Sequence, residues 1–349
     1  MLVCDKIYMF STGGTEMTVK EQVLKILEEN KGRSVSGEDM AKELFVSRNA
    51  VWKAIKALRG EGHIIEAVTN RGYSLSEKSV VFSPQSVMKL LGSDSGKFDI
   101  IYRETVGSTN TELKVLAEKG SPEGTVLIAG EQTAGKGRRG RSFSSPKGTG
   151  LYMSILLRPD FSAEKALFIT TCAAVAVAEA VDEITGGEAE IKWVNDVYLN
   201  DKKVCGILTE ASVDFEGGGL NYAICGIGVN FSGEALPEEL KGIAGGIGGD
   251  PKTEKPRLAA EILRRFFRYY EQLEALDFLP EYRRRSLLTG KTVSFTRDGK
   301  QYKALVLGID EQARLMVRLE NGEEQALSSG EVTIEKSSYI NGAGKEQKK

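Results

Sequence analysis

The chain has 349 residues, 41% hydrophobic and 28% charged, which is enough for two or three domains with buried cores and excludes global disorder. Its formal net charge of -2 gives no general attraction to nucleic acid, so any DNA-binding surface must be local. One histidine and four scattered cysteines exclude a Cys/His zinc site and a disulfide framework, and the lack of a signal or membrane-spanning segment predicts a cytoplasmic protein.

The N-terminal residues show two different patterns. Residues 1–17 lack periodicity, and we expect a disordered extension or a misassigned start, because Met17 directly precedes the first patterned helix. Thr18 and Glu21 have the spacing of a capping box and predict that helix one begins there.

Two further helices are expected, one from about Ser36 and one from about Ser47. Only Phe45 and Val46 separate them, and so tight a connection suggests a helix-turn-helix. The third helix is basic, which predicts a local surface for DNA.

Two alternating strands around Asn70-Arg71-Gly72 predict a β-hairpin wing and complete a winged helix-turn-helix over residues 18–77. The alternative is a protein-contact module with a solvated basic face. Trp52 is expected to lie partly in the core. The residues expected at DNA are Ser47, Arg48, Asn49, Trp52, Lys53, Lys56 and Arg71.

Helices and strands alternate after Pro84, so a second domain is placed at residues 84–288. Within it, residues 104–112 end a strand and open a helix, and Thr109 with Glu112 predicts a second capping box. Such a helix start can bind a polar ligand group, although capping alone would also explain the two residues.

A basic, glycine-rich loop at residues 130–143 follows a strand at residues 124–129. It fails as a P-loop because Gly137 replaces the required Ser or Thr, and it fails as a dinucleotide fingerprint because residues 142–148 cannot form the next helix. We interpret it as a flexible cover over an anionic ligand, the alternative being a solvated loop or a nucleic-acid contact. Its cations are Lys136, Arg138, Arg139 and Arg141.

Three successive strands are predicted to form a meander over residues 190–199, 203–210 and 222–230. Lys192, Asp196 and Lys203 interrupt these apolar strands and are costly to bury without partners, so we expect them to face a ligand cleft. Gly206 and Gly228 indicate close approach of a ligand or of backbone.

The last part of the chain is predicted to hold a helix over residues 256–276 and then short strands at 291–296, 303–309, 314–319 and 323–328. The turns Asp298-Gly299 and Asn321-Gly322 suit a small SH3-like barrel over residues 289–336. A polar tail, residues 337–349, is expected to be disordered.

Five short motifs follow one another in the centre of the chain, namely Ser108-Thr109-Asn110, Gly135-Lys136-Gly137-Arg138-Arg139-Gly140-Arg141, Lys192-Trp193-Val194-Asn195-Asp196, Lys203 with Gly206-Ile207-Leu208, and Gly228-Val229-Asn230. In order and spacing they resemble the catalytic domain of biotin protein ligases. With the winged helix in front, nearly the whole chain is similar to the bifunctional bacterial form, which also represses biotin operons.

Three positions depart from the family pattern. Lys136 interrupts the usual Gly-Arg-Gly start of the basic loop, and Val194 replaces a proline. Phe143 stands where a tryptophan often stacks near adenine, which implies a somewhat weaker hold on adenosine.

The resemblance implies an α+β protein with an N-terminal winged helix-turn-helix, a central mixed α/β catalytic domain like those of class II aminoacyl-tRNA synthetases and biotin ligases, and a C-terminal SH3-like β-barrel. It implies ATP, biotin and Mg²⁺, with biotinyl-5'-AMP as intermediate and corepressor. Its implied partners are a biotin carboxyl carrier protein and operator DNA, the latter bound as a homodimer.

The resemblance also implies residue roles. Catalysis would fall to Arg138, Lys203 and Asp196, and Asp196 would also be the possible magnesium ligand. Biotin would be bound by Ser108, Thr109, Asn110, Gln132, Gly135, Lys136, Gly137, Arg138, Arg139, Gly140, Lys203, Gly206, Ile207 and Leu208. ATP or adenylate would be bound by Arg141, Phe143, Lys192, Asn195, Asp196 and Asn230.

Two other functions are weighed against this one. A lipoate ligase would share much of the catalytic fold, but the basic loop and the Lys-Trp-x-Asn-Asp segment favour biotin. A DNA-binding metabolite sensor would keep the cleft without transfer, and the presence of Arg138, Asp196 and Lys203 argues against it.

Overall fold

The computed structural model describes residues 17–68, 71–79, 81–162, 165–213, 219–234 and 236–335. The predictions for residues 1–16 and 337–349 therefore lie outside the described residues. Three units follow one another along the chain: a winged helix-turn-helix, a seven-stranded mixed sheet with helices, and a five-stranded antiparallel sheet. This architecture confirms the α+β fold class.

The N-terminal unit contains three helices and three short strands: α1 (Val19–Glu29), β1 (Ser34–Val35), α2 (Gly37–Glu43), α3 (Arg48–Gly60), β2 (Ile65–Val68) and β3 (Gly72–Leu75). Its sheet is antiparallel in the order β1-β3-β2. The predicted capping box is confirmed, because the Thr18 N–H donates to Glu21 Oε2 at 2.8 Å and the Glu21 N–H donates to Thr18 Oγ1 at 3.3 Å. The helices bury one shared core that includes Val23, Leu27, Met40, Val51 and Leu58.

The central unit contains α4 (Pro84–Leu91), β4 (Asp99–Val106), α5 (Thr109–Glu118), β5 (Thr125–Gln132), β6 (Gly150–Leu157), α6 (Ala166–Thr185), β7 (Glu190–Lys192), β8 (Asp196–Leu199), β9 (Lys202–Val213), β10 (Leu220–Asn230), α7 (Pro251–Tyr270) and α8 (Leu279–Arg284). Its strand order is β4-β5-β6-β10-β9-β8-β7, and only β4 and β5 pair in parallel. The predicted meander of the last strands is confirmed by the antiparallel pairing of β8, β9 and β10.

Alternation along the central strands puts helices on both faces of the sheet. In β5, Val126 and Ile128 join the large core under α6 and α7, whereas Leu127 and Ala129 join the core under α5. The long apolar helix α6 is thus an internal layer. No helix within the described ranges is long and apolar enough to span a membrane.

The prediction of a single strand over residues 190–199 is wrong. The segment is a tight hairpin in which Lys192 at the end of β7 pairs with Asp196 at the start of β8. The sequence does not indicate a turn here, because Trp193 and Val194 are apolar residues that are both buried. Trp193 donates its indole N–H to Ala313 O at 3.1 Å, and Val194 O accepts from Tyr282 Oη at 3.0 Å. Their peptide bond is cis.

The helix predicted over residues 256–276 starts earlier and ends earlier, as α7. Its N-cap is Asp250, whose Oδ1 accepts from the Lys252 N–H at 3.0 Å, and Pro251 occupies the first position, where proline loses no helical hydrogen bond. Pro256, which suggested the helix start, lies inside the helix.

The C-terminal unit contains β11 (Thr292–Arg297), β12 (Lys300–Ile309), β13 (Leu315–Leu319), β14 (Glu324–Leu327) and β15 (Val332–Ile334). Four of these strands confirm the predicted ones to within a few residues, and β15 was not predicted. The sheet order is β14-β13-β12-β11-β15. Because β15 pairs with β11, the residues just before it are held over the central sheet.

Candidate active site and DNA-binding surface

A cavity of about 220 Å³ lies between the central sheet and the C-terminal unit. Most of the predicted ligand residues converge on it, namely Ser108, Thr109, Asn110, Gln132, Lys136, Gly137, Arg138, Arg141, Phe143, Lys192, Asn195, Asp196, Lys203, Gly206, Ile207 and Leu208. Gly135, Arg139, Gly140 and Asn230 lie outside this lining. These residues come from five separate stretches of the chain, and their convergence agrees with the ligand cleft that the sequence predicts.

A chain of buried hydrogen bonds forms one end of the cavity. Gln132 Oε1 accepts from both the Thr109 N–H at 2.8 Å and the Thr109 hydroxyl at 3.0 Å. The fully buried Ser154 Oγ lies 2.7 Å from Thr109 Oγ1 and donates to Asn110 Oδ1 at 2.6 Å. Asn110 Nδ2 in turn donates to Glu210 Oε2 at 2.7 Å. This network fixes the polar side chains before any ligand arrives.

The capping box predicted from Thr109 and Glu112 is wrong. Helix α5 has Ser108 as its N-cap residue and Thr109 as its first helical residue. The Ser108 side chain makes no capping hydrogen bond, and the Thr109 N–H donates to Gln132 Oε1. The Thr109 hydroxyl is instead engaged by Gln132 and Ser154. The start of α5 can therefore bind a polar ligand group at the cavity, which is the first of the two interpretations of this segment given by the sequence.

The basic loop is tied down at several points. The Gly137 N–H donates to Arg141 O at 2.7 Å, and the Phe143 N–H donates to Gly135 O at 2.8 Å. Arg138 points into the cavity and donates to Asn195 Oδ1 at 3.0 Å, whereas the exposed Arg139 takes a left-handed backbone with φ 54°. This arrangement agrees with the predicted cation-rich cover. Lys136, Arg138 and Arg141 line the cavity, whereas Arg139 does not.

Cations outnumber carboxylates inside the cavity. Lys203 Nζ lies 2.8 Å from Asp196 Oδ1. Burial lowers the pKa of Lys192 and of Arg138 from their ordinary values, and the charge of Asp196 opposes both shifts. An anion entering the cavity would relieve this desolvated positive charge, so the electrostatics favour an anionic ligand.

The residues present do not form a magnesium site of their own. Asp196 is engaged by Lys203, and the part of the chain that the structure describes has no cluster of three metal-binding side chains. Magnesium at Asp196 therefore stays a prediction, in which this one carboxylate would share the ion with the nucleotide phosphates.

Phe143 lies on a platform of glycines in β9 and β10. A Cβ atom on Gly228 would lie 2.5 Å from Phe143 Cε1, and one on Gly206 would lie 3.2 Å from Cε2. On the neighbouring Gly226, a Cβ atom would lie 2.2 Å from Asn110 Oδ1. The sequence predicted close approach of a ligand or of backbone at these glycines. In the structure it is the side chains of Phe143 and Asn110 that leave no room for a Cβ atom.

Ser154 behind the cavity and Glu331 in its lining make polar contacts that the sequence did not predict. Ser154 sits in the apolar strand β6, where one serine among hydrophobic residues was the only signal. Glu331 precedes β15 and pairs with Arg141 at 2.6 Å between Oε2 and Nη2, which connects the C-terminal unit to the basic loop. Nothing local in the sequence reveals a contact across 190 residues.

The residues of α3 that were predicted to contact DNA have the spacing of one helix face and are exposed. Ser47 is the N-cap of α3 and accepts from the Ala50 N–H at 3.1 Å, and the polar and basic residues of α3 that follow are exposed. Trp52 is 49% exposed, with Lys56 Nζ 5.4 Å from its ring centroid, so the expectation that it lies partly in the core is wrong. Arg71 is exposed at the wing.

Comparison with known families supports three assignments along the chain. Residues 102–230 match the model described as "Biotin/lipoate A/B protein ligase family". Residues 19–74 match "HTH domain", and residues 289–334 match "Biotin protein ligase C terminal domain". The order of the matches is that of the three structural units.

Whole proteins are similar over nearly the full chain. The chain is 32% identical over 319 residues to the bifunctional ligase/repressor BirA of Bacillus subtilis, covering 89% of this chain and 98% of the relative. For the BirA of Escherichia coli the identity is 28% over 310 residues, with coverage of 87% and 94%. The solved biotin protein ligase from Aquifex aeolicus in complex with biotin and ATP is 29% identical with a TM-score of 0.58, covering 68% of this chain and 98% of that one.

Proposed function

This chain belongs to the family of bifunctional biotin protein ligases and repressors, and from that premise we propose how its residues activate biotin with ATP and transfer it to a protein lysine. The chain is a biotin–[acetyl-CoA-carboxylase] ligase that forms biotinyl-5'-AMP, and it is also a biotin-responsive repressor of biotin genes. The observation that carries the ligase function is the convergence of Arg138, Lys192 and Lys203 on one cavity with a preorganised polar end.

In the first step, a carboxylate oxygen of biotin attacks the α-phosphorus of ATP. The bond from that phosphorus to the bridging oxygen breaks, and pyrophosphate leaves with the electron pair. Arg138 and Lys203 stabilise the charge on the carboxylate and α-phosphate oxygens, and Lys192 adds a third cation. Magnesium would be held by the ATP phosphates, with Asp196 as the carboxylate available to it in the cavity, and it would neutralise phosphate charge there.

In the second step, the lysine amine of the carrier protein attacks the acyl carbon of biotinyl-5'-AMP. An amide forms, the acyl–phosphate bond breaks, and AMP leaves. In this proposal the Asp196 carboxylate orients the amine, and the Thr109, Gln132 and Asn110 groups, which line the same cavity, hold the biotin head.

The remaining assignments follow the division of the chain. Residues 18–77 bind operator DNA, residues 84–288 catalyse ligation, and residues 289–336 help to enclose the nucleotide and the carrier protein. The repressor binds DNA as a homodimer, and the protein works in the cytoplasm. The match to the helix-turn-helix family and the exposed basic face of α3 support the DNA-binding role.

Pyrophosphate exchange into ATP tests the ligand assignment. We expect exchange that depends on biotin and is not supported by lipoate at the same concentration. Exchange supported equally by lipoate would reassign the substrate, and exchange with neither acid would remove the adenylation step.

A further inference from the structure

Phe45 combines two unfavourable features in the turn between α2 and α3. Its φ of 53° lies in the left-handed region, which a bulky side chain rarely adopts, and its ring is 94% exposed. The turn itself is well bonded, because the Val46 N–H donates to Ala41 O at 3.0 Å. The fold therefore holds a strained backbone in place and leaves an aromatic ring in water, and such outliers suggest a function for the residue.

The surroundings of Phe45 suggest what covers the ring. It lies two residues before Ser47, the N-cap of the helix that the sequence assigns to DNA, and three residues before the exposed Arg48. Trp52, half-exposed under Lys56, is a second exposed aromatic residue and lies on α3 itself. Aromatic rings interspersed with cations are typical of a surface that meets nucleic acid rather than a purely apolar protein partner.

We propose that Phe45 is a base-reading contact of the repressor, which packs its ring against an apolar base edge when α3 enters the major groove. This rests on the proposed DNA-binding function. The first residues of a recognition helix lie nearest the base edges, and the turn that precedes them lies beside them at the groove. The apolar group that the major groove offers is the thymine methyl, and an aromatic ring is a suitable partner for it.

The test uses full-length chains and a duplex selected from a random-sequence library by the wild-type chain with biotin and ATP. Phe45→Gly removes the ring and lets the turn adopt φ > 0 freely, so its thermal midpoint should not fall below that of the wild type. We expect its affinity for the selected duplex to fall about 10-fold, with no change on a scrambled duplex. The slope of affinity against salt should stay the same, because no charge is lost.

Two matched variants complete the design. Phe45→Tyr keeps the ring and should keep the affinity, while Ile64→Ala shortens another exposed apolar side chain of the same unit, 46% exposed, and should bind as the wild type does. The inference is overturned if Phe45→Gly binds the selected duplex like the wild type, if it loses the same factor on the scrambled duplex, or if Ile64→Ala loses as much. If the wild-type chain selects no duplex, the proposed DNA-binding function is contradicted as well. If only the Phe45→Gly result fails, the proposed DNA-binding function is unaffected.

Discussion

Arg138 reaches from the basic loop to Asn195 and so stands between the loop and the β7–β8 turn, while its neighbour Arg139 points away from the cavity. The two adjacent arginines point in different directions because the backbone of Arg139 is left-handed. Charge counting along the sequence cannot separate the two, because both lie in the same run of cations. The backbone of the loop decides which of them serves the reaction.

We predict that Arg138→Ala lowers the rate of biotin-dependent pyrophosphate exchange by roughly 10²- to 10³-fold, the scale of losing one preorganised charge contact. Arg139→Ala is the matched control and should stay near the wild-type rate, since it removes an equal charge outside the cavity. Equal losses in the two variants would mean that general loop charge, and not the placement of Arg138, supports adenylation.

The Ser154 hydroxyl supports the biotin end of the cavity from behind. Ser154→Ala leaves Asn110 Oδ1 without its partner, at a cost of about 1–3 kcal/mol, and leaves the Thr109 hydroxyl bonded to Gln132 alone. We predict a rise of about 10-fold in the KM for biotin with little change in kcat. Ser79→Ala removes a buried hydroxyl that accepts from the Ile64 N–H far from the cavity, and steady-state kinetics should show its KM unchanged.

At the scale of elements, the helices and hairpins with local signals were predictable. The capping box of α1, the tight α2–α3 connection and the glycine turns of the last sheet are all encoded within a few residues. The hairpin at Trp193 was not, because its turn is held by Ala313 and Tyr282 from distant elements. Nor was the α5 start, where a contact with Ser154 overrides the capping pattern.

We propose that α3 carries the DNA contacts on its exposed face, whose residues do not line the cavity. We predict that Lys53→Ala weakens operator binding and lowers the slope of log affinity against log salt by about 1, with unchanged pyrophosphate exchange. Lys25→Ala removes the same charge from an exposed position of α1 and should leave both measurements as they are. A titration by gel shift at several salt concentrations would contradict the assignment if Lys53→Ala and the wild type gave one curve.

At the scale of the whole molecule, the sequence predicted three units and most of the cavity lining, but not how the last unit reaches the cavity. Residues 330–333 join the lining because β15 pairs with β11 and so returns the chain to the central sheet. The Arg141–Glu331 pair then links the basic loop to this unit. Such contacts join residues far apart in sequence, where periodicity and spacing carry no information.

The central claim is that one cavity makes an acyl-adenylate and passes the acyl group to a protein. The most direct measurement incubates the purified chain with ATP, magnesium, labelled biotin and a biotin carboxyl carrier domain, beside a carrier whose acceptor lysine is replaced by arginine. The account predicts ATP-dependent label on the lysine carrier alone, with Arg138→Ala strongly slowed. No label on the lysine carrier, from a folded chain that binds biotin, would contradict it.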